Sequence, residues 1–430
     1  MGTLTLVPNA GYLPDIARGA GPGPLLPGER GLLRSLANQV VEIAAHPKQA
    51  QKHDLWIRHN RLEQVRPLFL VFPEDAWTEI LPPGQLELHD PFWRQQEWYL
   101  KHLIYRDRML PDDFVVEPEL WTRRIVRWSS WGLEPRFIRP ADTSGAYCWE
   151  APIKEPADIA RLRYPEVEVD EFETQRNWAA LSEVFAGIMP VRISCTLPQG
   201  DLIGVAAKLR GIQQIMVDMY DRPEWLHELM TFITEGVMRG VKYLETSSYL
   251  TLNNGFHYTD SGGIGLTSEL PGPGFDGKHV RLADLWGFGV AQELSEVGPR
   301  QHEEFVLNYQ LRLLEQCGLN AYGCCEPLTH KFDMLTKRVP QLRRISISPW
   351  CNFEKALEKL GSHYVLSWKP DPTLLTQNFQ PEACRSFIRR RMEAARGCTI
   401  EMVLKDTLTL ENEPVRLEQW CQIAREEVEK

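Results

Sequence analysis

Short apolar runs that alternate with helical patterns are the feature of this 430-residue sequence that most restricts its fold. Eight such runs occur, at residues 66–72, 191–197, 249–253, 287–292, 319–322, 342–347, 363–368 and 399–404. Amphipathic patterns typical of helices lie between most of them, for example at residues 223–245 and 381–395. Eight strands that alternate with helices favour an α/β fold of the TIM-barrel type, (β/α)8. An open doubly wound sheet is the alternative, but no glycine-rich phosphate-binding turn follows any run.

The chain divides into three parts around this pattern. Residues 1–28 are rich in glycine and proline and predict a flexible arm, and residues 29–65 predict an N-terminal helical extension. Residues 66–430 are then one barrel, with a cap inserted after the first strand at about residues 73–185. Helical pieces are expected in that cap near residues 91–108 and 119–126.

Composition narrows the classes of partner. The net charge of −10 disfavours nucleic acid and anionic membrane surfaces, both of which attract basic proteins. No apolar stretch approaches the length of a membrane span, and the first residues do not form a signal peptide. The nine cysteines are therefore expected to be reduced, in a cytoplasmic protein.

Thiols at two strand ends are the most specific chemical signal. In a parallel barrel, catalytic groups gather at the carboxyl ends of the strands. Cys324, Cys325 and Glu326 directly follow the fifth run, and Cys351 follows the sixth. Thiolates grouped with a carboxylate are ligands typical of zinc, whereas the alternative is a set of inert thiols beside a loop. Two lysines at later strand ends, Lys369 and Lys405, could hold a carboxylate or phosphate.

The chain from about residue 190 onwards resembles the uroporphyrinogen decarboxylase superfamily, a set of (β/α)8 barrels. The resemblance rests on Gly211-Ile-Gln-Gln-Ile-Met-Val-Asp-Met-Tyr-Asp-Arg-Pro-Glu224, on Tyr322-Gly-Cys-Cys-Glu-Pro327, and on the Ser-Pro-Trp and Lys-Pro-Asp-Pro strand endings. True uroporphyrinogen decarboxylases carry Arg-Gln-Ala-Gly-Arg-Tyr near the N-terminus, where this chain has Arg58-His-Asn-Arg61. Zinc methyltransferases of the superfamily carry a His-x-Cys pair and a distant second cysteine. Here Tyr322 occupies the histidine position and Cys324 the cysteine position.

The resemblance to the methyltransferase branch implies a function. A methyl group would pass from a small methoxy, methylamine or thioether substrate to a corrinoid, a cobalamin carried by a separate partner protein. Zinc would be held by three or four of Cys324, Cys325, Glu326 and Cys351, and which of the two neighbouring cysteines ligates is left open. The other candidate residues are Glu293, Tyr322 and Asp260 for catalysis, and Arg61, Asn253, His257, Trp350 and Lys369 for substrate binding. Homodimer formation is left open.

Two other functions compete with methyl transfer. A metal-free decarboxylase would use Asp201 or Asp260, with Arg61 and Tyr322, to hold a small carboxylated substrate and protonate the product. A non-catalytic binding protein on a degenerate barrel is the third hypothesis. Metal content and the effect of cysteine substitutions separate the first from the others.

Overall fold

A computed structural model describes residues 6–7, 11–12, 21–138, 148–196, 201–256, 258–259, 262–376 and 379–430. Its strands are β1 (Leu6–Val7), β2 (Gly11–Tyr12), β3 (Leu68–Val71), β4 (Leu120–Arg123), β5 (Ile125–Trp128), β6 (Arg136–Ile138), β7 (Cys148–Glu150), β8 (Val167–Asp170), β9 (Val191–Ser194), β10 (Trp286–Gly289), β11 (Leu319–Tyr322), β12 (Leu342–Ile347), β13 (Val365–Trp368) and β14 (Thr399–Leu404). Its helices are α1 (Pro27–Ala44), α2 (Pro47–Asn60), α3 (Trp77–Ile80), α4 (Pro91–Met109), α5 (Glu171–Val184), α6 (Leu202–Arg210), α7 (Ile212–Asp221), α8 (Pro223–Thr246), α9 (Pro299–His302), α10 (Asn308–Leu314), α11 (Phe332–Arg338), α12 (Phe353–Leu360), α13 (Pro381–Ala394) and α14 (Val415–Val428).

A six-stranded parallel sheet organises this mixed α/β fold, in the order β10-β11-β12-β13-β14-β3. Every neighbouring pair in it is parallel, and β14, the last of its six strands along the chain, lies beside β3, the first of the six. Most of these strands are buried along their whole length, as expected of a parallel sheet covered on both faces. Six of the eight predicted runs are confirmed as its strands.

The two remaining runs lie outside this sheet. Residues 191–197 contribute β9, which pairs in parallel with β4. Residues 249–253 form no strand, and the Asn253 side chain explains why. Its amide donates to the carbonyl of Trp286 at 3.0 Å and accepts from the Trp286 N–H at 2.9 Å, replacing main-chain pairing. The described residues therefore show a six-stranded sheet and not a complete barrel.

The prediction of a helix near residues 119–126 was wrong. This stretch forms β4 and β5, and β5 pairs with β8 in an antiparallel ribbon. Aromatic and β-branched side chains at Trp121, Thr122, Ile125 and Val126 favour a pleated strand over a helix. The helix expected near residues 91–108 is confirmed as α4.

Prolines mark where several helices begin. Pro27, Pro47, Pro91, Pro223 and Pro381 each occupy the first position of a helix, where the missing N–H would have no helical partner. Of these, α1 buries Leu33, Leu36, Ala37 and Val40 in the main core and packs against α4. The N-terminal extension is thus part of the core, while the arm expected at residues 1–28 lies largely outside the described residues.

A buried charge network, which we define as Glu401, Arg344, His59, Ser367 and Lys369, links α2 to three neighbouring strands. The Glu401 carboxylate on β14 contacts Arg344 Nε at 3.1 Å and His59 Nε2 at 3.3 Å. It also accepts the Ser367 hydroxyl at 2.5 Å, and Lys369 Nζ donates to that hydroxyl at 2.7 Å. Glu401, Arg344 and Ser367 are fully buried, so the two charges are stabilised by each other and by the Ser367 hydroxyl instead of by water.

Among the described residues, no helix combines the length and apolarity needed to cross a bilayer.

Candidate functional site

Two loops meet above the carboxyl edge of the sheet and bring a pair of thiols next to a lysine. Cys324 and Cys325 follow β11, and their sulfur atoms lie 3.5 Å apart. Lys405 follows β14, and its Nζ lies 3.6 Å from the Cys324 sulfur. The Cys325 sulfur lies 3.8 Å from Oδ2 of Asp406. We call these four residues the thiol cluster.

The thiol cluster favours the thiolate form of Cys324. A hydrogen bond from the Cys325 thiol and the positive charge of Lys405 lower the pKa of Cys324 to about 7, although burial opposes the charge. The same hydrogen bond, together with burial, raises the pKa of Cys325, so that residue keeps its proton. Burial disfavours the ammonium of Lys405, but the Cys324 thiolate and Asp406 raise its pKa overall. Near neutral pH the cluster therefore holds a partly ionised Cys324, a protonated Cys325 thiol and the ammonium group of Lys405.

The loop that presents Cys324 is fixed by Glu326. This carboxylate is buried, and it accepts the N–H of Cys324 at 2.8 Å and the N–H of Ala291 at 3.1 Å. Ser346 Oγ donates to the Cys324 carbonyl at 2.8 Å from the neighbouring strand. The main chain of Cys324 is thus held on both sides, and Glu326 serves as an anchor for the loop.

Cys351 also bonds to main chain. Its sulfur accepts the N–H of Leu328 at 3.2 Å and lies 3.6 Å from Ser348 Oγ. This contact ties the loop after β12 to the loop after β11.

The four predicted zinc ligands do not form a zinc-binding set in this arrangement. Zinc takes three or four protein ligands, and in the described part of the chain no three histidine, cysteine, aspartate or glutamate side chains are placed to hold a metal. Glu326 and Cys351 bond to main-chain amides instead. We therefore derive no chemical step through zinc, and its presence stays a prediction that metal analysis of the purified protein tests.

Tyr322 and Glu293, which were assigned to catalysis, lie in different surroundings. The Tyr322 phenol is buried between His302 and Gln310, with both hydrogen bonds at 2.7 Å, on the helical side of the sheet. Glu293 follows β10, and burial raises its pKa to about 7, with the carboxylate of Asp201 adding to the effect. The third residue, Asp260, lies outside the described residues.

The predicted substrate-binding residues are dispersed. Lys369 is buried, donates to the Ser367 carbonyl at 3.0 Å, and its charge helps to lower the pKa of Cys324. Trp350 is 73% exposed. Asn253 bonds to the main chain where β10 begins. Arg61 is exposed after α2, next to Asn60, whose carbonyl accepts from Arg343 near the amino end of β12. His257 lies outside the described residues.

The pairing of Lys405 with Cys324 is what sequence reasoning missed. Both residues follow predicted strands, but 81 positions separate them along the chain. Glu74, after β3, belongs to the same surroundings, since burial raises its pKa to about 7 while Lys405 lowers it. The sequence signal for this proximity is that each residue follows the end of a predicted parallel strand.

Replacing Lys405 should make Cys324 a weaker acid. In Lys405→Met, we expect the pKa of Cys324 to rise by about one unit, towards the value of an ordinary thiol. The pH dependence of iodoacetamide labelling, read on the Cys324 peptide by mass spectrometry, measures it. Lys359→Met, which removes an exposed lysine paired with Asp333, is the control. An unchanged labelling midpoint in Lys405→Met would contradict the role of Lys405.

The raised pKa of Glu293 predicts a loss of stability as pH rises. The unfolded carboxyl ionises near pH 4.5 and the folded one near pH 7, so its burial penalises folding increasingly across that interval. Glu293→Gln should remove that penalty and gain about 1 kcal/mol relative to wild type at pH 8, a figure reduced because the carboxyl is partly exposed. Urea unfolding at pH 5 and pH 8 measures it, with the exposed Glu296→Gln as control. An equal effect of Glu293→Gln at both pH values would refute the prediction.

Comparison with known proteins includes a distant likeness to a solved structure. No family model matches the chain, and no curated protein matches it. A solved methyltransferase from Methanosarcina mazei is similar over 86% of this chain and 97% of that chain, with 10% sequence identity and a TM-score of 0.45. A TM-score this low carries no conclusion about family or activity, so the function has to be argued from the residues of this chain.

Proposed function

We propose that this protein is a methyltransferase that moves a methyl group from a small methylated donor to a corrinoid carried by a separate partner protein. The proposal includes a closed (β/α)8 barrel of the uroporphyrinogen decarboxylase superfamily. The observation that carries it is the Cys324 thiolate, held beside Lys405 at the carboxyl edge of the parallel sheet. A thiolate is a soft nucleophile well suited to attack a methyl carbon.

Two observations support closure of the barrel. The side chains after β11 and β14 contact each other although β12 and β13 lie between these strands, which a curved sheet favours. Single hydrogen bonds also extend the pairing beyond the β3 edge of the sheet and join β9 to the stretch at residues 249–253. Asp113 N donates to the carbonyl of Phe69 on β3, and Thr251 N donates to the carbonyl of Cys195 after β9. The β4–β9 pair and the hydrogen bonds of Asn253 to β10 supply the remaining contacts. Together they connect the β3 edge of the sheet to its β10 edge along an irregular path.

The reaction follows from the ionisation of the thiol cluster. The Cys324 thiolate attacks the methyl carbon of the donor, a carbon–sulfur bond forms, and the bond to the donor heteroatom breaks with its electron pair. That heteroatom takes a proton from Glu74, whose half-buried carboxyl is partly protonated near neutral pH. The corrinoid is the second substrate, and the electron pair of its reduced cobalt accepts the methyl group from sulfur. Lys405 stabilises the thiolate that returns.

The decarboxylase alternative is less well supported. It needs Arg61 and Tyr322 to face one substrate together with Asp201 or Asp260, and Asp260 lies outside the described residues. Arg61 is exposed after α2, the Tyr322 phenol is bonded between His302 and Gln310, and Asp201 caps α6 through the N–H of Gly204 at 2.7 Å. These groups do not converge.

A methylation experiment tests the proposal. The purified protein is incubated with methoxy, methylamine and thioether donors, first alone and then with reduced cobalamin in place of the partner's corrinoid. We expect one donor class to add a methyl group to the Cys324 peptide, and added cobalamin to remove it while its visible spectrum changes. Absence of both S-methylation and transfer with all donors would refute the proposal. Transfer without S-methylation, from protein that contains stoichiometric zinc, would favour the zinc mechanism instead.

A further inference from the structure

We propose that Cys324 and Cys325 form a modification site, at which a hydroperoxide joins the two neighbouring residues in a disulfide. The two sulfur atoms already lie 3.5 Å apart, whereas a disulfide bond is about 2.05 Å long. A shift of roughly 1.5 Å by one side chain therefore brings them to bonding distance. This site is independent of methyl transfer, because its formation needs neither donor nor corrinoid.

The local backbone tells which residue moves. Cys324 is held by Glu326 and Ser346 through its own N–H and carbonyl. Cys325 is exposed and sits in a bend rather than in a strand or helix, and its sulfur has the long contact to Asp406. The bend follows Gly323, which has a φ of 93° that L-residues rarely adopt. We infer that the Cys325 side chain swings towards a fixed Cys324.

The resulting bond is strained, and so reversible. Neighbouring Cα atoms across a trans peptide lie about 3.8 Å apart, which is shorter than the roughly 4.4–6.8 Å that ordinary disulfides span. Strained and exposed disulfides are easily reduced and are typical of regulatory sites rather than structural ones. Small cellular thiols should therefore restore the two free cysteines.

The two cysteines have distinct roles in the reaction. The Cys324 thiolate, stabilised by Lys405, attacks the peroxide oxygen and breaks the O–O bond, which leaves a sulfenic acid and a hydroxide or alkoxide. Cys325 then attacks the sulfenic sulfur and releases water, and the Cys325 proton is taken up by the leaving oxygen. Two thiols are oxidised, and the peroxide is reduced by two electrons. A nucleophilic cysteine beside a resolving one is the arrangement that redox-sensitive sites use.

Such a disulfide would occupy the sulfur that the proposed methyl transfer requires. Oxidation would then block methyl transfer because no Cys324 thiolate remains, and reduction would restore it. This consequence rests on the proposed function, whereas the modification itself does not.

The test uses the full-length protein and mass spectrometry of its peptides. After treatment with hydrogen peroxide, we expect the wild-type peptide that contains both cysteines to lose two hydrogen atoms, and dithiothreitol to restore them. In Cys325→Ser, Cys324 should instead stop at a sulfenic acid that dimedone traps. Cys148→Ser removes an exposed cysteine remote from this loop in the sequence and should behave as wild type.

Three outcomes would overturn the proposal. They are sulfinic acid on Cys324 of the wild type with no disulfide, a disulfide between two chains, and unreacted thiols at a peroxide concentration that oxidises Cys148. Because no methyl donor is present, a failed methyl-transfer assay leaves this result unaffected.

Discussion

Glu401→Gln is expected to destabilise the protein by about 3–5 kcal/mol. The substitution keeps the size of the side chain but removes the carboxylate that contacts Arg344 and His59 and that Lys369 reaches through Ser367. Two buried cations, Arg344 and Lys369, then lose this negative charge, and weakening the compensation of a buried charge costs several kcal/mol. Urea unfolding followed by circular dichroism measures the difference.

A surface pair provides the matched control. Glu354 lies 70% exposed beside Arg391, so Glu354→Gln should cost less than about 1 kcal/mol. If Glu401→Gln proved equally mild, the buried charge network would not be stabilising in the way described. Replacing both ions, as in Arg344→Met with Glu401→Leu, should recover part of the loss because neither partner of the buried Arg344–Glu401 pair is left without the other.

The buried charge network also predicts that the protein loses stability at low pH. Burial alone would raise the pKa of Glu401, but Arg344 and His59 lower it to about 2. The stabilisation is therefore complete above the unfolded pKa near 4.5 and is lost as pH falls towards 2.

Cys324→Ser should lower methyl transfer by about a thousandfold or more, since a neutral hydroxyl replaces the attacking thiolate. The rate of donor demethylation in the presence of reduced cobalamin measures the loss. Cys398→Ser, which alters a half-buried cysteine after α13, is the control and should keep the wild-type rate. Retention of activity in Cys324→Ser would remove the basis of the proposed mechanism.

Cys351→Ser separates the thiolate mechanism from the zinc mechanism. Cys351 bonds to Leu328 N–H and Ser348 rather than to the thiol cluster, so a thiolate mechanism predicts a modest effect. If zinc is held by three or four of the predicted ligands, Cys351→Ser should lose both metal and activity. Zinc analysis of the same protein samples gives the second readout.

Much of the parallel sheet could be predicted because its signal is local. A buried parallel strand is a short apolar run, and six such runs form the sheet. Helix starts were equally local, since proline at the first position of α8 and α13 is visible in the sequence. The prediction of a strand at residues 249–253 was wrong for a reason that the apolar run itself does not reveal. Its ladder bonds are replaced by the side chain of Asn253.

The place of the two thiols on the fold could be predicted from the sequence, but the contacts of the neighbouring residues could not. Cys324 and Cys325 lie where parallel strands end, as expected. Which main-chain amide a side chain will bond depends on loops distant in sequence, so the anchoring role of Glu326 was not predictable. Strand alternation likewise does not tell which face of β11 carries Tyr322, and the structure places it towards the helices.

The pairing of β3 with β14 has a consequence for how the protein is made. A ribosome delivers β3 at residues 68–71 long before β14 emerges at residues 399–404. Until then, one edge of an apolar strand exposes amides and carbonyls that can pair with another chain. Completion of the sheet therefore waits for one of the last strands to be synthesised, and contacts this distant in sequence form slowly. The nascent protein should depend on chaperones during that interval more than its finished stability suggests.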